Sequence, residues 1–231
     1  MSGTIRIMTY NTRGSLGMDG VRSTSRIAET VRLYSPDIIC FQEIHQWLAW
    51  SKFENQPERL EHLLQRNFVF HPPVRFGLGN YGIGIASRWH PSKVQKYLLP
   101  SVGEQRGLLE LEFRGVSGIK AFRVFCTHWG LKDEERAEQG QFCVEKVLNS
   151  PLPTLFCGDL NEEVSAKGVA TLIEQGGLED TNPQGVFTFP SDTPNVRIDY
   201  ILGRGLACER FEVASSLASD HLPLIADIQI G

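Results

Sequence analysis

Short apolar runs, each closed by turn residues, dominate the hydrophobic pattern of the chain. Strands are expected at Ile5–Tyr10, Ile38–Phe41, Ile83–Ala86, Leu108–Phe113, Phe122–Cys126, Leu155–Cys157, Ile198–Leu202 and Leu222–Ile230. Some alternate and others are continuous, as expected of sheets packed face to face and covered by helices. Helical stretches are expected at Arg22–Leu33, Pro57–Leu64, Asp133–Asn149 and Gly168–Gln175. In the third, Ala137, Phe142, Val144 and Val147–Leu148 recur near helical spacing. Its acidic first turn, Asp133 to Glu135, suits the positive end of the helix dipole. Gly and Pro fall only as short punctuation, without repeat or linker, so the 231 residues read as one domain over 1–231.

The strands end in chemistry. Ile5–Tyr10 runs into Asn11, and Ile38–Phe41 into Gln42 and Glu43. Phe122–Cys126 runs into Thr127 and His128, while Leu155–Cys157 runs into Gly158, Asp159, Leu160 and Asn161. Asp199 lies inside the Ile198–Leu202 run, and Asp220 and His221 precede the last strand. One polar residue after a strand is ordinarily a cap or a solvated turn. Eight such residues, each tied to a rigid element, are the raw material of a site at one rim of a sheet scaffold.

Composition narrows the classes. A net charge of −4 supplies no global basic field to gather nucleic acid, so any such substrate must be gripped locally. The five cysteines are odd in number and lack C-x-x-C spacing; four lie in or beside apolar runs, where thiols behave as small hydrophobes. A reducing, cytoplasmic setting is expected, with no signal peptide and no stable insertion in a membrane. No apolar run approaches the ~20 residues a membrane helix needs. A serine hydrolase is disfavoured by the absence of G-x-S-x-G, and a zinc site by the scarcity of closely spaced His and Cys.

Taken in order, TYN (Thr9–Asn11), FQE (Phe41–Glu43), TH (Thr127, His128), GDLN (Gly158–Asn161), IDYI (Ile198–Ile201) and SDHLP (Ser219–Pro223) resemble the endonuclease/exonuclease/phosphatase superfamily. The resemblance spans residues 9 to 223, and its most specific part is GDLN followed by IDYI and SDH. It implies an α/β four-layer sandwich, with two mixed β-sheets face to face flanked by helices. It also implies a metal-dependent phosphoric ester hydrolase.

Under that resemblance Glu43 anchors Mg2+, for which Mn2+ could substitute, with Asn11 and Asp220 nearby. A hard cation of this kind needs only one or two carboxylates. His221 and Asp199 form a dyad able to take a proton from water. Asp159 and Asn161 orient that water and bind the phosphate; either Asp159 or His221 could be the base. His128 contacts a phosphate oxygen, as an imidazolium if charged, and Arg106 resembles a phosphate-contacting arginine. Arg13 and Arg88 are further candidate phosphate contacts, and Trp129, Trp47, Trp50 and Phe187 candidate stacking groups.

One departure is visible. The pancreatic deoxyribonuclease branch has a glutamate near the position of Tyr81 and Gly82 that orients its counterpart of His128, and this chain lacks it. His128 must find another partner. The expected substrate is a phosphodiester in short or single-stranded nucleic acid, handled by a monomer. A lipid head-group or small-molecule phosphoesterase is the alternative.

Overall fold

The computed structural model describes residues 3–116 and 118–231; positions 1, 2 and 117 of the expected 1–231 domain lie outside the described residues. In chain order the elements begin with β1 (Gly3–Asn11), α1 (Thr24–Tyr34), β2 (Ile38–Gln46), α2 (Gln56–Leu64), β3 (Asn67–Phe76) and β4 (Gly79–Ser87). They continue with β5 (Lys93–Leu98), β6 (Gly107–Phe113), β7 (Phe122–His128), α3 (Asp133–Leu148), β8 (Thr154–Asp159) and α4 (Lys167–Glu174). The last are β9 (Glu179–Asp180), β10 (Asp199–Arg204), β11 (Ala207–Val213) and β12 (Leu224–Ile230).

Two six-stranded sheets result, ordered β11-β12-β1-β2-β4-β3 and β5-β6-β7-β8-β10-β9. Each is mixed: β1 pairs with β2, and β7 with β8, in parallel, while the remaining ladders are antiparallel. Three apolar clusters show why four layers form. Ile5, Ile7, Cys40 and Ile85 of one sheet meet Leu109, Val124, Cys157 and Ile201 of the other in a shared inner core. Met8, Ile39 and Phe41 turn the opposite way, onto Ile27 and Val31 of α1 and Leu60 of α2. Phe125, Phe156 and Leu202 do the same onto Val144 and Val147 of α3 and Val169 and Leu172 of α4. The period-2 alternation of each central strand therefore serves both a sheet–sheet and a sheet–helix interface. Among the described residues no helix is long and apolar enough to cross a membrane.

Candidate active site

Strand parity carries the polar residues to one place. In β1 the inward row Ile5, Ile7 and Thr9 continues to Asn11; in β2 the row Ile38 and Cys40 continues to Gln42. Val124 and Cys126 of β7 lead to His128, Leu155 and Cys157 of β8 lead to Asp159, and Ile201 of β10 leads back to Asp199. The registers align these ends, pairing Asn11 with Gln42, His128 with Asp159, and Asp199 with Asp159. The dry layer between the sheets thus ends in amide, imidazole and carboxyl groups.

Glu43 breaks the alternation. The ladder between β2 and β4 shifts register between Phe41 and Ile44, and Glu43 takes a left-handed φ of 57°. Such a bulge re-aims a side chain, at a backbone cost of order 1 kcal/mol or more for a non-glycine residue. Arg13 (φ 49°) and Asn161 (φ 52°), beside the same rim, also lie in the left-handed region. The re-aimed carboxyl meets Asn11, whose Nδ2 donates to Glu43 Oε1 at 3.0 Å and to Asp159 Oδ2 at 2.9 Å.

Asp159 is the hub. Its Oδ1 accepts the Asn161 N–H at 3.0 Å, and its Oδ2 lies 3.5 Å from His128 Nε2 and 3.7 Å from His221 Nε2. Asn161 is held in turn by its Nδ2 donating to the Trp129 carbonyl at 2.9 Å. His221 Nδ1 is 3.0 Å from Asp199 Oδ2, which also accepts the Thr188 hydroxyl at 2.6 Å. The Phe189 ring lies 4.7 Å from the His221 ring, between centroids. Ser219 Oγ donates to the Asn11 carbonyl at 2.8 Å, tying the loop that carries Asp220 and His221 to the end of β1.

Burial sets the protonation pattern. The fully buried Asp159 carboxyl is pushed up to about 7, mainly by desolvation and further by Asp199, against the opposing pull of His221. Burial pulls His221 down, but Asp199 and Asp159 outweigh it and raise the imidazole to about 10. Near neutral pH His221 is therefore a cation beside a carboxyl poised to titrate. His128 is held well below the usual imidazole range by burial, then by Arg106 and His221. The neutral ring is favoured there, so of the two states left open by the sequence it is the uncharged one that the surroundings support.

The donor set fits a hard divalent cation. Desolvation pushes the Glu43 carboxyl up, and neighbouring Asp220 adds to the crowding of negative charge. The Asn11 amide donates to Glu43, the Arg13 guanidinium lies 3.2 Å from Asp220 Oδ2, and His221 and Arg106 offset part of the charge from further off. Oxygen-rich, carboxylate-dominated sites of this kind suit Mg2+ or Mn2+. Asn11 turns its NH2 toward Glu43 and its oxygen to the Arg13 N–H at 3.0 Å, so serving as a ligand would require the amide to turn over. In the tighter trio of Asp159, Asp199 and His221, Asp199 Oδ2 bonds His221 Nδ1 and the Thr188 hydroxyl, while His221 Nε2 reaches toward Asp159 Oδ2 at 3.7 Å.

Most of the expected residues converge: Asn11, Glu43, Arg106, His128, Asp159, Asn161, Asp199, Asp220 and His221, with Arg13 at the edge. Two do not serve as expected. Trp129 is fully buried in the core under α3, so its ring cannot stack on substrate; it contributes backbone, its N–H donating to the Asp159 carbonyl at 3.0 Å. Arg88 pairs with Asp37 at 3.0 Å, at the start of β2 and so at the end opposite Glu43. Thr188 and Ser219 were missed as holders of the dyad. Their only signal was position, Thr188 between Phe187 and Phe189 and Ser219 before Asp220.

The model of the Endonuclease/Exonuclease/phosphatase family matches residues 8–221. The chain belongs to this family. It is accordingly a metal-dependent phosphoester hydrolase. Solved structures agree on the fold. An endonuclease/exonuclease/phosphatase from Beutenbergia cavernae is 22% identical with TM-score 0.83, over 99% of this chain and 72% of that one. A mannosyl-6-phosphatase from Bacteroides thetaiotaomicron is 19% identical with TM-score 0.79, over 97% and 99%. The human Nocturnin catalytic domain with bound sulfate is 19% identical with TM-score 0.76, over 97% and 94%. No curated protein matches the sequence.

Proposed function

We propose that the chain is a magnesium-dependent phosphodiesterase acting, as a monomer, on short or single-stranded nucleic acid. The observation that carries the hydrolytic part is Asp159 Oδ2, set within 3.7 Å of Asn11, His128 and His221 at the rim where Glu43 and Asp220 gather. Magnesium held by Glu43 and Asp220, with Asn11 beside them, would supply the positive charge that phosphate hydrolysis needs and lower the pKa of a bound water. Asp159, titrating near neutrality, takes the proton from the attacking water. His221, kept protonated and oriented by Asp199, binds a phosphate oxygen through Nε2. His128 and Asn161 hold the phosphate from the other side.

What surrounds the rim supports this substrate class. The cations at its edge are few: Arg13 and, alongside it, Arg22, whose Nη1 donates to the Arg13 carbonyl at 3.3 Å, while Arg106 is buried against His128 and Glu104. That is enough for one or two phosphates and too few for a long duplex track. Trp47, Trp50 and Phe187 are exposed and able to stack on bases at ~1–3 kcal/mol each. A specific observation also supports a lipid head-group reading. Trp50 packs edge-on against Phe76 at 5.4 Å, and Phe53 and Leu78 are exposed on the same pair of loops, an apolar cluster a lipid surface could take up. One structural neighbour is a mannosyl-6-phosphatase, which lends support to a small-molecule phosphoesterase as the alternative.

Turnover of single-stranded oligonucleotides and of sphingomyelin vesicles across a salt series separates these readings. With two phosphate contacts, the slope of log affinity against log salt should be near −1.4, a gentle decline. Turnover of the vesicles, rising with their surface, together with no oligonucleotide cleavage in Mg2+ or Mn2+, overturns the nucleic-acid assignment.

A further inference from the structure

The His128 ring has neighbours of opposite character on its two nitrogens. Arg106 Nη1 lies 3.2 Å from Nδ1 and 3.0 Å from Glu104 Oε1. Nε2 instead faces Asp159 Oδ2 at 3.5 Å, the oxygen that His221 Nε2 also approaches. Both His128 and Arg106 are buried, so water does not exchange freely for either contact. An arginine carries only donors; Nδ1 must therefore present its lone pair, and the ring hydrogen must sit on Nε2. An acid next to Nδ1 would do the reverse, accepting a proton there and favouring a doubly protonated ring. Among the described residues no acid bonds Nδ1; Arg106 is its partner, with Tyr81 and Gly82 lining the same small cavity, so the role is filled with inverted charge.

We propose that Arg106 is a positioning residue that commits His128 to one neutral tautomer, making Nε2–H a fixed hydrogen-bond donor to a phosphate oxygen and not a proton source for the leaving group. The proton that the departing oxygen needs then comes from solvent, while Asp159 keeps the one removed from the attacking water. Among the described residues the charged and titratable groups around the ring are Arg106 before β6, itself paired with Glu104, then Tyr81 of β4, Asp159 of β8 and His221 before β12. Arg106 and His221 both oppose a charge on the ring, in agreement with the geometry. The catalytic part rests on phosphate-ester cleavage at this rim; the tautomer does not, and it can be read without turnover.

Nitrogen NMR of the 15N-labelled full chain, without metal or substrate, tests the tautomer between about pH 5.5 and 8.5. His128, assigned by its loss in His128→Gln, should carry one proton, on Nε2, throughout. Arg106→Met should let the ring take a second proton toward the acid end, and Arg106→Lys, which keeps a donor, should not. In turnover, His128→Gln retains an N–H close to the Nε2 position and should lose less than about tenfold, against ~100-fold or more for His128→Ala. A doubly protonated His128 at neutral pH in the wild type would overturn the proposal, as would an Arg106→Met ring that titrates like the wild type. So would a His128→Gln enzyme as impaired as His128→Ala.

Discussion

Asp159→Asn should lower turnover by ~10²–10⁴, the range a positioned general base supplies. The replacement keeps the size of the side chain and removes the charge. Only one of the contacts that Asp159 makes to the donors of Asn161 and Asn11 can survive, since an amide offers a single acceptor oxygen. That loss costs about 1 kcal/mol and is offset by no longer burying a carboxylate, so the fold should hold. The pH profile carries the same information. A base raised to about 7 must be deprotonated to act, so activity falls as pH drops through that value. His221, raised to about 10, must stay protonated, so activity falls again as pH rises through that value. The wild type should show a bell between the two limbs. An Asp159→Asn variant that keeps a third of wild-type turnover and remains folded would remove Asp159 from the role.

The dyad should behave as a single unit. His221→Ala and Asp199→Asn are each expected to cost at least ~100-fold in turnover, because one removes the cation and the other the group that orients and sustains it. Asp199 Oδ2 accepts both His221 Nδ1 and the Thr188 hydroxyl, whereas its Oδ1 is buried without a partner among the described residues. Its one contact within the site is with this imidazole, 3.0 Å away. A double variant should therefore be little worse than His221→Ala alone. Losses that multiply in the double variant would show that Asp199 works independently of His221.

The sequence revealed the strands that carry chemistry and hid those that do not. All eight anticipated strands are present, and the four that escaped notice, β3, β5, β9 and β11, are the four sheet edges. Edge strands pair on one side only and bury little, so selection for alternating apolar residues is weak. β5 reads KVQKYL with almost no burial, and β3 contains Pro72 and Pro73, which a central strand would not tolerate. The site was legible where strand parity alone delivers a side chain, as at Asn11, His128, Asp159 and Asp199. Glu43 was found by its motif; the bulge that turns it inward is a backbone event its residue type does not announce. Trp129 illustrates the opposite failure. An aromatic next to a motif histidine looks like a stacking group, yet strand β7 has just ended and the ring swings under α3 into the core. The Arg106–His128 contact joins residues 22 positions apart and needed the fold to appear.

The most direct test is phosphodiester hydrolysis by the wild type and by Glu43→Gln across a magnesium titration, with EDTA as the reversal. Turnover should appear with the metal, vanish with EDTA and return on adding excess magnesium. Glu43→Gln should be slower and require more metal, because the amide keeps the shape and loses the charge that anchors the cation. Turnover that survives EDTA, or a Glu43→Gln enzyme with the wild-type rate and the wild-type metal demand, would contradict a metal-dependent site at this rim.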